Sequence, residues 1–153
     1  MSKKEKSKTD HIIKSGVYEK NTVKLDEIIR SIKENHNIGD AGALFSFSGI
    51  VRNSSLNGKE VTRMEIDAYE KMANKSIARI CKEMKQREGI IDVRVIHFKG
   101  TFTLSEELVH VVVASAHRQE GLKTLSDTIE KYKKDIEVWK KEVFKDGTSK
   151  WIH

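Results

Sequence analysis

Leu108-Val109-His110-Val111-Val112-Val113-Ala114 is the stretch that decides the fold class. With one polar interruption it does not alternate between a wet and a dry face. It therefore reads as a strand covered on both sides, central in a sheet. Directly after it stands Ser115-Ala116-His117-Arg118. Beyond that, Leu122, Leu125, Ile129 and Tyr132 recur at helical spacing. This predicts a helix over Gln119–Lys134 with those four residues turned inward. On the other side, Ile91–Lys99 reads as a further strand.

Outward from this centre, Glu70–Arg87 is predicted as a long helix with Ala73, Ile77, Ile80, Cys81 and Met84 as its buried stripe. Val61–Ala68 and Gly42–Val51 are predicted strands. The turn chemistry of Asn53 to Glu60 lies between them, so they are expected to pair antiparallel. Leu25, Ile28, Ile29 and Ile32 place a helix over 24–36, and His11–Tyr18 reads as a short strand. At the other end, Ile136–Phe144 and Ser149–Ile152 are extended segments around an Asp146-Gly147 turn. Helices mixed with hairpins, without a regular strand–helix–strand alternation, indicate an α+β fold with a mostly antiparallel sheet and three main helices.

The chain has 153 residues, 37% apolar and 34% charged. That length is expected to make one domain over residues 10–153 after a Lys-rich, disordered tail at 1–9. Met1 to Asp10 lacks the apolar core of a secretory signal. No stretch approaches the roughly 20 apolar residues of a membrane span. A single cysteine excludes an internal disulfide and suits the cytoplasm. The net charge of +6 favours an anionic partner without choosing among nucleic acid, a phosphorylated small molecule and an acidic protein. Proline is absent, which removes one marker of element boundaries.

Several side chains could do chemistry. Lys133 ends the last helix, where a cation complements the helix dipole and local sequence asks for nothing more. Lys140 is less ordinary, because it shares an alternating face with Ile136 and Val138. It either extends past an apolar patch or sits in a partly dry pocket. A desolvated lysine near another cation loses its proton more easily and becomes a nucleophile or proton carrier. His117 and Arg118 sit where a buried strand meets a helix N-terminus, a natural anion site, though a capping His and an ion-paired Arg explain them equally. Arg52 closes a strand before a mobile loop, as a second phosphate ligand or as an edge charge. His97 shares the face of Val93 and Val95 and reads as a satisfied core residue. Cys81 is a packing thiol. No metal spacing, dinucleotide fingerprint or phosphate-loop pattern is visible, so no metal and no cofactor is expected. Exposed rings interleaved with basic runs are lacking, which argues against nucleic acid.

Read in order, Phe45-Ser46-Phe47-Ser48-Gly49-Ile50-Val51-Arg52-Asn53, Tyr69-Glu70-Lys71-Met72, Val95-Ile96-His97 with Gly100, Ser115-Ala116-His117-Arg118, and Lys133 through Trp139-Lys140-Lys141-Glu142 resemble the large, catalytic subunit of molybdopterin synthase. The resemblance spans roughly Gly42 to Trp151. It implies an α/β-hammerhead type of fold and a homodimer at the core of a heterotetramer. A small ubiquitin-like sulfur carrier would insert its Gly-Gly C-terminus. Sulfur would pass from the carrier's thiocarboxylate to cyclic pyranopterin monophosphate, forming the molybdopterin dithiolene. By the same resemblance Lys133 and Lys140 are the catalytic lysines, while Arg52, His117 and Arg118 bind the anionic substrate. Within that picture Lys133 meets the thiocarboxylate and acts as acid/base or transient acyl acceptor, and Lys140 orients the pterin. Three positions depart from the family pattern. Glu137 stands where Pro is common between the lysines, Ser105-Glu106 stands where the turn usually holds Gly, and the basic residue that some members place beyond the late Trp is either replaced by Lys150 or absent. Competing readings are a non-catalytic module that holds a ubiquitin-like tail and a basic nucleic-acid-binding protein. Placing His, Arg and Lys at element ends favours the sulfurtransferase.

Overall fold

In the computed structural model, which describes residues 12–152, the chain runs β1 (Gly16–Glu19), α1 (Leu25–Lys33), a 3-10 turn (Ile38–Asp40), β2 (Ala43–Ile50), β3 (Val61–Ala68), α2 (Glu70–Lys85), β4 (Ile90–Thr103), β5 (Glu107–Ser115), α3 (Arg118–Asp135), β6 (Val138–Phe144) and β7 (Ser149–Ile152). This is the α+β class expected. The segment 1–9 lies outside the described residues. The strands form one sheet in the order β2-β5-β4-β3-β6-β7, with β1 added parallel to β4 and the other pairings antiparallel. Leu108 to Ser115 are all buried, and β5 has β2 on one edge and β4 on the other. Burial on both faces explains why its sequence is apolar without alternation.

β4 joins the two halves of the sheet. Its residues 90–97 pair with β5 and 96–99 with β1, whereas Gly100 to Thr103 pair with β3. The change of partner falls at Gly100, whose φ of 131° is open to glycine and strained for other residues. The following turn is closed by Glu106, whose carboxylate accepts hydrogen bonds from the Thr103 hydroxyl and backbone N–H. The hydroxyl bond above all, with the backbone bond and Lys20 beside it, holds that carboxyl down to about 2. Ser105 in the same turn is left-handed, at φ 64°, a conformation that glycine adopts more readily than serine.

Helices α2 and α3 lie side by side against the sheet, α2 over β1 and β4 and α3 over β5 and β2. The predicted stripe of α2 is buried throughout: Ala73, Ile77, Ile80, Cys81 and Met84. In α1, Ile28 and Ile32 are fully buried, with Leu25 and Ile29 packed at the edge of the same core.

Two expectations are corrected. β3 does not pair with β2, because β2 supplies the second edge of β5 while β3 lies between β4 and β6. The loop between them closes on itself through a Ser54–Glu60 bridge, so it imposes no hairpin register on the flanking strands. Leu122 does not face inward either and is 53% exposed. The buried face of α3 is Gly121, Thr124, Thr128 and Tyr132. Gly121 lets the helix lie flush on β5 and β2, since a Cβ there would overlap Ser115 Oγ and the Phe45 ring. That close approach turns the helix away from Leu122.

Candidate functional site

The last turn of α3, β6 and β7 enclose a cavity of about 210 Å³ lined by Lys133, Lys134 and Lys140 together with His97, Tyr132 and Met64. Helix α3 stops at Asp135, where Ile136 turns extended, and the chain reverses into β6. This reversal brings Lys133, at the helix end, near Lys140, in the strand. In the sheet register Lys140 stands between Ile66 of β3 and Ile152 of β7. Directly opposed residues share a face, so the Lys140 stem runs across apolar neighbours. Its amine is pushed below the ordinary lysine value, first by burial and second by the charge of Lys133. Among the described residues no carboxylate lines this cavity, so nothing there offsets the charges of Lys133, Lys134 and Lys140.

A second, larger hollow of about 720 Å³ adjoins the first and shares Met64, Lys133 and Ile152 with it. Its charged lining is Arg52, Lys133 and Lys150, with Glu142 as the acid. Arg52 is exposed, and its Nε–H donates to the Ser54 carbonyl at 3.1 Å, which draws the guanidinium toward the 53–60 loop. Lys150 lies opposite Glu142 in the β6–β7 pairing. The two hollows thus make a cleft with Lys140 at its dry end, Lys133 at the junction and Arg52 with Lys150 at its open end. Trp151, beside Lys150, is exposed, with the Lys141 ammonium 5.4 Å from its ring centre.

Of the five predicted site residues, one chain brings together Lys133, Lys140 and Arg52. His117 and Arg118 open α3, about 22 Å along the axis from Lys133 at roughly 1.5 Å per residue. The His117 side chain is 79% exposed. Its backbone N–H donates to Glu120 at 2.8 Å, and its Nδ1 lies 3.2 Å from the same carboxylate oxygen, which is the helix-capping arrangement. His97, read from the sequence as a satisfied core residue, has a buried Nε2 with no hydrogen-bond partner among the described residues. It is buried and also lines the lysine cavity. The signal that could have found it is a histidine on an otherwise apolar strand face. Cys81 is buried and its thiol is pushed up by burial, as a packing cysteine requires. Among the described residues no cluster of three metal-ligating side chains occurs, and no helix is long and apolar enough to cross a membrane.

A family model described as "MoaE protein" matches residues 18–135. The chain is 36% identical over 112 residues to the molybdopterin synthase catalytic subunit of Thermoplasma volcanium, covering 73% of this chain and 81% of that one. It is equally similar over 112 residues to the catalytic subunit of Pyricularia oryzae, where the match spans 61% of the relative's length. Among solved structures, molybdopterin synthase from Staphylococcus aureus superposes with a TM-score of 0.79 at 27% identity, covering 94% of this chain and 99% of that one.

Proposed function

The chain belongs to the MoaE protein family, and from that premise we propose that it is the catalytic subunit of a molybdopterin synthase. It takes sulfur from the C-terminal thiocarboxylate of a small ubiquitin-like carrier and places it on cyclic pyranopterin monophosphate. The observation that carries this reading is the cleft itself. Lys133, Lys134 and a desolvated Lys140 line a cavity without a lining carboxylate, and the cavity adjoins a hollow with Arg52 and Lys150.

Transfer of each sulfur forms a carbon–sulfur bond on the pterin and breaks the acyl–sulfur bond of the carrier, whose acyl group passes to water or, transiently, to an amine. Negative charge builds as the thiocarboxylate attacks and as the cyclic phosphate opens. Fixed cations stabilise it. Burial favours the neutral amine at Lys140, which suits a proton carrier or acyl acceptor. Lys133, exposed at the junction, suits contact with the anionic ends of both substrates. This reverses the division of labour that the resemblance alone suggested. Arg52 and Lys150 face the phosphate end.

The expected Gly-Gly terminus of the carrier would enter this cavity of about 210 Å³. His117 and Arg118 reach such a cleft only if a second copy of the chain presents them, which is the expected homodimer core of a heterotetramer.

The test combines the purified protein with a thiocarboxylated carrier and cyclic pyranopterin monophosphate, following dithiolene formation and the carrier's mass. Dithiolene with loss of the carrier's sulfur is the expected result. A stable complex that keeps its sulfur would leave a tail-binding module instead.

A further inference from the structure

His97 lies on β4 with 1% of its surface exposed and lines the same cavity as Lys140. Its Nδ1 is 3.0 Å from the carbonyl oxygen of Phe98. A carbonyl only accepts, so Nδ1 carries the proton and Nε2 presents a bare lone pair. Nε2 is buried and has no hydrogen-bond partner among the described residues. The imidazole is held in place, because Tyr132 packs edge-on against it with ring centres 5.9 Å apart. The groups that share its cavity are Lys140 from β6 and Tyr132, Lys133 and Lys134 from α3. Burial first, and then the Lys140 charge, pushes the imidazole down to about 3, so it stays neutral in the working range. A buried acceptor without a partner is costly and is retained where a donor comes to it.

We infer that His97 is the positioning residue of Lys140: the two line one cavity without a hydrogen bond in this structure, and a rotamer change of Lys140 brings its amine to Nε2, which accepts an N–H and aims the rest of that amine at the ligand. The chemistry suits a lysine that must lose and regain a proton. A carboxylate in this place would fix the proton on Lys140, whereas a neutral imidazole orients the amine without adding charge. The effect on turnover rests on the sulfur-transfer reading above; the His97–Lys140 contact does not.

The contact is therefore read first without substrate. In the full-length protein, imidazole ¹⁵N NMR is expected to show the Nδ1–H tautomer, with Nε2 displaced toward the hydrogen-bonded value. In Lys140→Met the Nε2 resonance returns to that of a free acceptor, and in Tyr132→Phe it does not. A resonance unmoved by Lys140→Met, or moved by Tyr132→Phe alone, overturns the inference.

Next, His97→Phe keeps an aromatic ring without an acceptor, and His97→Gln restores an acceptor near Nε2. By lysine side-chain NMR, with Lys140 assigned from Lys140→Arg, the Phe variant is expected to lower the Lys140 pKa by about one unit, because the ammonium loses its acceptor. The Gln variant restores it. Single-turnover sulfur transfer should fall about tenfold in the Phe variant, less than the roughly 10²–10⁴-fold worth of the acid or base itself because Lys140 is still present, and recover in the Gln variant. An unchanged Lys140 titration in His97→Phe also overturns the inference. If wild-type protein made no dithiolene while the NMR contacts held, the function would be wrong and the positioning role would stand.

Discussion

At the residue scale, the difference between the two lysines decides which one moves protons. Both are cations, but only Lys140 lies between Ile66 and Ile152 and is driven toward its neutral form. Arginine keeps the charge and cannot lose it. Lys140→Arg should therefore lower single-turnover sulfur transfer about 10²–10⁴-fold, the usual worth of a positioned acid or base. Lys133→Arg, at an exposed site that needs charge, should keep activity within about tenfold of wild type. Equal losses at the two positions would remove the distinction. The same depressed pKa has a consequence for stability. Below the ordinary lysine value of 10.5 the unfolded chain binds a proton at this position more readily than the folded chain does. Stability therefore rises with pH as the unfolded lysine approaches its own pKa. Lys140→Met removes that cost. It should raise Tm at pH 7 by roughly 3 °C for each unit of depression, and the gain should shrink as pH rises toward 10.5. Thermal melts of both proteins across that range check it, and a gain independent of pH would assign it to packing alone.

Among the elements, α3 shows how far the sequence could be read. Its existence and both ends were legible, because Leu125, Ile129 and Tyr132 mark a helical period and Ile136, Val138 and Lys140 switch to the alternation of a strand. The phase of its buried face was not, because a glycine and two threonines make up most of that face and carry no hydrophobic signal. Gly121 sets the phase by allowing close approach to Ser115 and Phe45. In Gly121→Ala the added methyl must displace them, at about 1–3 kcal/mol for overpacking, against roughly 1 kcal/mol gained in helix propensity. The expected net effect is a lower denaturant midpoint with an unchanged m-value. A higher midpoint would mean that α3 has room at this point. The stripe of α2 was fully legible, since five apolar residues define one face. The pairing of β2 was not. Sequence neighbours pair by default, and nothing local reveals that β5 needs a second edge. At the site, local sequence singled out Lys140 by its apolar strand face and left Lys133 and Arg52 open between a site and an ordinary surface charge; the family resemblance named all three. His97 was hidden by its own burial.

For the whole molecule, the sheet register gathers the cleft from parts distant in sequence: β4 brings His97, β3 brings Met64, and the α3–β6 reversal brings the lysines. What one chain does not gather is His117 and Arg118, which sit at the far end of α3. If they serve the cleft of a second copy, each working site takes Lys140 from one chain and His117 with Arg118 from its partner. Complementation then follows from symmetry. Chains carrying Lys140→Ala and chains carrying His117→Ala with Arg118→Ala should each be inactive alone. Unfolded and refolded together, half the dimers are mixed, and each mixed dimer holds one intact site and one doubly impaired site. Recovered sulfur transfer should approach about a quarter of wild type. Size-exclusion chromatography of the refolded mixture confirms that dimers formed. Recovery in proportion to mixed dimers places the pair in the partner's cleft. No recovery, with dimers present, would confine His117 and Arg118 to capping α3 within their own chain.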